Sequence, residues 1–476
     1  MSERVTLVGL DFGTTTSSAV IADASLQRNA VTGRTELSDV RERFRSEMVF
    51  TPLDEDRIDV AAIEAHLDAW LSAGAVRSED VFGGGALLTG LTAKRENADV
   101  LVDLIRRRLG DTLIATADDP CLEAWLAFLG NTANLSRAHP DRVFLNVDIG
   151  GGTTNLALGQ NGQVRRTGCL SIGARHIEFV PGTYRIRRAS PQGWLVLPHL
   201  DVPRAFTDGL REAEVEHVLD FYMRLIEAAV SGDRSMFRDW PARDFEQVPF
   251  DLPPDASEPI VTLSGGLGEL VYAHLRGEPW LPTTHFGDLG IDLARRLVQS
   301  EKLGKHLSTY VPAGGGRATV LGLLRHNTEV SGSTLYLPSP ELLPLSEMPV
   351  LGTVSTELPD ADLRDLVERA MRTPRGGCLF VKLAAADVAE VRALAGRLTA
   401  ELWRTPFVGE RPLVLLLREN LGKVLGHYVT EWGQLPIKLV VVDEVPVHDA
   451  RFVQIGRLRQ QVVPVSYYGL YDQGGS

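Results

Sequence analysis

Val8-Gly9-Leu10-Asp11-Phe12-Gly13-Thr14-Thr15-Thr16-Ser17 and Leu145-Asn146-Val147-Asp148-Ile149-Gly150-Gly151-Gly152-Thr153-Thr154-Asn155 are two copies of one pattern. Each runs an apolar strand into an aspartate, bends through glycine and threonine, and opens a second strand, at 19–22 and 156–158. The two aspartates stand 137 positions apart, about one domain length. One such hairpin could be an ordinary turn. Two in one chain, each at the head of a domain-sized segment, predict a duplicated α/β architecture with one hairpin per lobe.

The bend has a chemistry of its own. Consecutive backbone N–H groups and hydroxyls gathered in one concavity suit a phosphate. Gly13, Gly150, Gly151 and Gly152 let the backbone approach it closely, with no side chain in the way. Thr14, Thr15 and Thr16 in the first copy, and Thr153 and Thr154 in the second, supply hydroxyls. Asp11 and Asp148, at the strand ends, can face one gap and hold Mg²⁺ through its water shell. One hairpin from each lobe would then clamp a polyphosphate, with lobe closure following from that geometry.

Working outward, the pattern predicts a further strand over 43–50 and a helix capped by Asp59, with Ile63, Leu67 and Leu71 at helical spacing. A strand over 86–89, a helix marked by Val100, Leu101, Leu104, Ile105 and Leu109, and a strand over 112–116 follow. Asp119-Pro120 opens another helix, with proline at its first position. In the second segment Val215, Val218, Leu219, Tyr222, Ile226 and Ala229 form a helical stripe that reads as core. Residues 231–258 read as an irregular surface excursion. A strand over 260–263 then delivers Ser264-Gly265-Gly266-Leu267-Gly268-Glu269, a glycine-lined turn whose flat wall suits a nucleoside, with a helix over 289–297 beyond it. The runs Gly83–Gly85 and Gly314–Gly316 read as tight turns. From about residue 335 short strands and helices alternate without a chemical motif. The expected units are therefore 1–140, 141–334 and a smaller C-terminal α/β domain over 335–476.

Composition narrows the functions open to this fold. Across 476 residues, 49 Lys+Arg against 62 Asp+Glu give a net charge of −13. That disfavours a nucleic-acid groove, which needs a basic face. It leaves open an anion site of neutral backbone donors. The hydrophobic share of 44% is ample for cores. Cys121, Cys169 and Cys378 are odd in number and far apart, which predicts neither a disulfide framework nor a zinc site and fits a reducing cytosol. His176 and His217 read as surface or packing residues, and Arg185–Arg188 as a solvated strand edge. The longest apolar runs, 413–417 and 439–442, are strand-length, so no membrane span is expected. The apolar run before Asp11 is too short for a secretory signal. A P-loop and a complete dinucleotide fingerprint are absent from the sequence.

With those residues in place, the order of hairpin, helix, second hairpin and glycine-rich turn resembles the actin, hexokinase and heat-shock chaperone ATPase superfamily. Within it the chain is similar to the ethanolamine ammonia-lyase reactivating factors over nearly its whole length. Less generic stretches carry that likeness: Leu88-Thr89-Gly90 with Ala93-Lys94 and Asn97, Thr262-Leu263-Ser264-Gly265-Gly266, Arg317-Ala318-Thr319-Val320, Ser331-Gly332-Ser333-Thr334 and Val441-Val442-Asp443-Glu444-Val445. The resemblance implies two actin-like (ribonuclease H-like) lobes around a central nucleotide cleft, with ATP and Mg²⁺ as ligands. It implies a chaperone-like factor that releases damaged cobalamin from stalled ethanolamine ammonia-lyase so that intact adenosylcobalamin can rebind. It implies a cytoplasmic setting associated with a bacterial microcompartment, and it leaves a homodimer open. The chain has no Asp-x-His-x-x-Gly cobalamin signature, so the expected partner is the lyase rather than the cofactor itself.

By the same resemblance Glu123 takes the acidic position near the γ-phosphate that orients attacking water, although no proline follows it as in the chaperones. Asp11, Glu123 and Asp148 are thus the expected catalytic set. Gly265, Gly266, Gly268 and Glu269 are expected to join the two hairpins in binding the nucleotide. Lys94 is a further candidate phosphate contact. Two alternatives share the fold: a small-molecule kinase, for which no separate carboxylate base motif is visible, and an actin-like ATP-binding scaffold. An iron–sulfur activator would need closely placed bridging cysteines, and Cys121 and Cys169 give that little support.

Overall fold

The computed structural model describes residues 3–29, 35–54, 57–89, 92, 96–109, 113–115, 120–199, 209–253, 258–312, 314–326, 328–332, 334–446, 450–459 and 461–470. Its first sheet has the strand order Thr35–Arg45, Thr16–Arg28, Glu3–Phe12, Val81–Leu88, Leu113–Ala115. The first three strands form an antiparallel meander, and the last two run parallel to Glu3–Phe12. The second sheet repeats the scheme: Gln163–Leu170, Thr154–Gln160, Val143–Ile149 and then Ile260–Ser264 in parallel. Two sheets of the same order and sense make this the duplicated α/β fold that the repeat predicts, in the actin-like (ribonuclease H-like) form that the resemblance implies.

The duplication extends to the register of the hairpins. Asp11 lies opposite Ser18, and Asp148 opposite Asn155, each pair seven residues apart. The Gly13 N–H donates to the Thr16 carbonyl at 2.9 Å, and the Gly150 N–H to the Thr153 carbonyl at 3.0 Å. Both bends therefore close two residues after the aspartate, with the same ring.

Two helices tie the lobes together by crossing over. Pro120–Asn131 precedes the second sheet and packs on it through Ala124 and Phe128 against Phe144 and Ala157. Ala318–His326 follows the second sheet and packs back on the first, with Val320 and Leu324 against Val5, Leu7 and Val20. Where the helices cross, glycine is a steric requirement. A Cβ on Gly130 would stand 1.9 Å from the Ala318 carbonyl oxygen, and one on Gly322 2.0 Å from that of Leu126.

Several expectations need correction. Gly83, Gly84 and Gly85 are not a turn but lie within the buried strand Val81–Leu88, where Gly84 has φ +107° and no room for a Cβ beside the Val8 backbone. Glycine marks a turn only where nothing packs on it, and here the close approach of the Val8 backbone is what requires it. The described part of 231–258 is irregular as expected but not confined to the surface. It adds the edge strand Glu246–Val248 and buries Phe237, Phe245 and Phe250. The expected strand over 43–50 is split into Thr35–Arg45 and Val49–Phe50. The glycine-lined turn after Ser264 is itself the first turn of the helix Gly265–Leu275.

Asp59 caps Val60–Ala73 as expected, accepting from the Ala62 N–H at 3.0 Å. The core stripe of the second lobe is the helix Glu212–Ser231. The C-terminal strands join one seven-stranded sheet, four of them parallel in sequence order: Leu345–Val354, Gly377–Val381, Pro412–Leu417 and Lys438–Val442. Helices Asp360–Arg372, Val388–Arg404 and Gly422–Val429 connect them and bury their apolar stripes against one face. Among the described residues no helix is long and apolar enough to cross a membrane.

Candidate functional site

Both hairpins open into one cleft between the lobes, around a cavity of about 340 Å³. Asp11, Gly13, Thr14, Thr15 and Thr16 line it from the first lobe. Asp148, Gly150, Gly151, Gly152, Thr153, Gly265, Gly266 and Glu269 line it from the second, and Glu123 reaches it from the crossing helix. The bends touch: a Cβ on Gly151 would lie 2.3 Å from Thr15 Oγ1 and 3.1 Å from Thr14 Cγ2. By contrast, Gly150 and Gly266 have nothing within 4 Å of a Cβ position and leave open space in the cleft.

Two expected residues lie elsewhere. Thr154 is fully buried and donates to the Ile172 carbonyl at 2.8 Å, because strand alternation turns it away from the cavity that Thr153 lines. Gly268 sits in the first helical turn, where a Cβ would be 2.9 Å from the Leu263 backbone, so its absent side chain serves packing. Lys94 lies outside the described residues.

The first bend is held by hydroxyls from distant segments. Thr51 and Thr92 both donate to the Gly13 carbonyl, at 2.7 and 2.8 Å, and the Thr51 N–H donates to the Thr15 carbonyl at 3.0 Å. Under the second bend, buried His176 meets the Gly152 carbonyl at 2.8 Å and Ser190 Oγ at 2.7 Å. His176 is therefore a packing residue with a definite task. These contacts fix the shape of both bends beside the gap.

Three carboxylates share this desolvated space. Burial pushes Asp11 up to about 7, opposed by the Thr319 hydroxyl and reinforced by the charge of Asp148. Thr319 donates to Asp11 Oδ2 at 2.9 Å, while Oδ1 is buried without a partner among the described residues. Burial raises Asp148 to about 6, opposed by Ser264, whose hydroxyl donates to Oδ1 at 2.5 Å. Ser264 in turn accepts from Asn146 at 2.8 Å. Glu123 is pushed well above the carboxylate range by burial and then by the charges of Asp148 and Asp11, against a hydrogen bond from Asn155. Three carboxylates that resist ionisation together form a site short of positive charge.

Sequence reasoning missed several lining residues. Thr319 donates to Asp11 and Thr89, beside it, adds to the lowering of its affinity for a proton; both stand in stretches that carried the family likeness without a role. Met48, Phe50, Phe286, Asp288 and Gly316 also line the cleft. Gly316 belongs to a run read only as a turn, yet its N–H donates to Glu269 Oε2 at 2.9 Å and so fixes that side chain on the cleft wall. No local pattern marks the others, because long chain crossings bring them in.

A family model described as ethanolamine utilisation protein EutA matches residues 3–470. The chain belongs to this family. Two EutA relatives carry the description ethanolamine ammonia-lyase reactivase. That of Salmonella typhimurium is 31% identical over 478 residues, covering 97% of each chain. That of Escherichia coli is 30% identical over 473 residues, again covering 97% of each. Among solved structures, the Ppx/GppA family member of Aquifex aeolicus aligns with 68% of this chain and 90% of its own, at 15% identity and a TM-score of 0.35.

Proposed function

We propose that this EutA-family chain is an Mg²⁺-dependent ATPase that reactivates ethanolamine ammonia-lyase, using nucleotide-controlled lobe closure to promote release of damaged cobalamin. One observation carries the nucleotide part: duplicated bends, one from each lobe, face each other with Gly151 against Thr14 and Thr15 and three carboxylates behind them. The names of the two relatives support the lyase as client. The cytoplasm, with a microcompartment around the lyase, is the setting this reading assigns.

The donor set fits a divalent cation. Asp11 has a buried orphan oxygen, and both aspartates are raised by lack of neutralising charge. Among the described residues no group of three metal-binding side chains stands ready to cage an ion, which suits Mg²⁺ kept largely hydrated beside two carboxylates. Bound there, Mg²⁺ would offset negative charge on the phosphates.

The chain's own groups do the rest. N–H groups of the two bends hold the phosphate oxygens, and the open wall at Gly266 admits the nucleoside. Glu123, left ionised once a bound cation offsets the charges of Asp148 and Asp11, would take a proton from the water as its oxygen bonds to the terminal phosphorus and the bond to the ADP oxygen breaks. The bends sit on separate lobes, so loss of the terminal phosphate removes a bridge between them and favours opening. Opening then alters the affinity for the lyase.

The test mixes cobalamin-inactivated lyase with the protein, ATP, Mg²⁺ and fresh adenosylcobalamin, and follows recovered deamination. Asp11→Ala and Asp148→Ala should each abolish the recovery. Reactivation at the wild-type rate by either variant refutes the assigned site.

A further inference from the structure

The cleft leaves open how a protein client is gripped. One surface stands out on the far rim of the C-terminal domain, at the end of helices Val388–Arg404 and Gly422–Val429. Trp403 and Trp432 are there 56% and 69% exposed, the two highest values among the exposed large hydrophobic side chains of the described residues. They are not loose. Trp432 stacks on His427 with ring centres 4.7 Å apart and meets Tyr428 edge-on at 6.1 Å. The Trp403 indole N–H donates to Glu431 Oε2 at 3.0 Å. The Arg392 guanidinium covers the Tyr428 ring at 5.1 Å and donates to its hydroxyl at 2.8 Å.

The backbone beneath this cluster is held in an unfavourable shape. Glu431 and Trp432 have φ of 47° and 58°, and Gly433 follows at 90°. Two successive non-glycine residues in the left-handed region are costly. What the conformation achieves is to turn the Trp432 indole outward onto His427. Burying the same indole would serve stability better, so the arrangement favours display.

Charge indicates what the surface meets. Neighbouring cations are neutralised internally: Arg364 and Arg404 by Glu401, and Arg397 by Asp360. Arg392 and Lys423, the latter one turn before His427 on the same helix face, have no carboxylate partner among the described residues. On a chain of net charge −13, two cations outside any ion pair, against the single carboxylate of Glu431, give this face a local positive excess beside two displayed tryptophans, which complements an acidic rim around an apolar pocket. Trp, Tyr and Arg are also the side chains that dominate the energetics of protein interfaces.

We propose that the Trp403–Trp432 face docks ethanolamine ammonia-lyase, inserting its indoles into an acidic-rimmed apolar pocket of that protein. The proposal rests on the reactivase reading, since that reading supplies a protein client. It places the client on the third sheet's helices, away from the nucleotide cleft. ATP-driven movement could then act on a partner held at a separate point.

The experiment measures binding of full-length protein to immobilised ethanolamine ammonia-lyase loaded with cyanocobalamin, alongside basal ATP turnover without lyase. Trp432→Ala and Trp403→Ala should each weaken binding by about 30-fold or more, the scale of an interface hot spot. Arg392→Glu should weaken it further at low salt than at high salt. Basal turnover should stay at the wild-type value and so report an intact fold. Wild-type binding that all three variants retain overturns the docking surface and leaves the reactivase reading standing. Failure of the wild type to bind or reactivate the lyase overturns both. Loss of self-association, or of binding to anionic phospholipid vesicles, with lyase affinity unchanged would assign the face to a second copy or a membrane and overturn the proposal.

Discussion

Replacing Asp148 by asparagine should make the nucleotide-free protein more stable while removing its response to Mg²⁺ and ATP. The carboxyl is almost fully buried, at 5% exposure, and its affinity for a proton is raised to about 6 from an ordinary 3.8. Folding therefore disfavours its ionised form, and the sign of the pH dependence follows. Between the unfolded and folded values the native state holds more protons, so stability falls as pH rises from about 4 to about 6 and is level above that. A shift of about two units corresponds to roughly 3 kcal/mol at pH 7.5, shrinking to about 1 kcal/mol near pH 4.5. Asparagine resembles the protonated acid and escapes this cost. It also relieves Asp11 and Glu123, both of which the Asp148 charge pushes upward. Its bond from Ser264 weakens to that of a neutral acceptor, which offsets about 1 kcal/mol.

Thermal unfolding of wild type and Asp148→Asn, followed by calorimetry from pH 4.5 to 8.5 without Mg²⁺ or nucleotide, should show the variant roughly 5 °C higher at pH 7.5. The gap should narrow on acidification. Adding Mg²⁺ and ATP should raise only the wild type. A variant that melts at or below the wild type at pH 7.5, or a gap that ignores pH, would refute the claim that this carboxylate waits, desolvated, for a cation.

Other perturbations separate the remaining roles. Glu123→Gln keeps the shape but cannot take a proton, so single-turnover hydrolysis should fall by about 10²- to 10⁴-fold while ATP affinity measured by calorimetry holds. Gly151→Ala places a methyl 2.3 Å from Thr15 Oγ1 and should prop the lobes apart. Titration calorimetry should show ATP affinity at least about tenfold lower, with urea stability within about 1 kcal/mol of wild type. Gly322→Ala would meet the Leu126 carbonyl oxygen at 2.0 Å where the crossing helices touch, and should cost about 1–3 kcal/mol in urea unfolding.

Much of the cleft was legible because its chemistry is local. A bend that must present N–H groups to an anion needs glycine and hydroxyl residues next to one another in sequence. Asp11, Gly13, Asp148 and Gly150 therefore announced themselves by spacing alone, and their repetition disclosed the duplicated lobes. The seven-residue register of each hairpin and the cap at Asp59 follow from the same short-range rules.

Packing decided the rest. Thr154 has the composition of a phosphate-binding residue, but alternation along its strand points it at the Ile172 carbonyl. Gly84 belongs to a run that reads as a turn, but the backbone of Val8 beside it leaves no room for a side chain in the strand. Thr319 lies 308 positions from Asp11 and reaches it only because its helix folds back onto the first sheet. Sequence by itself determined that two lobes would each offer a glycine–threonine bend with an aspartate beside it. Only the tertiary structure decided that the bends touch, that three carboxylates share one desolvated space, and that Trp432 is turned outward. Proximity across hundreds of residues, and the loss of solvent that comes with it, are properties of the folded chain.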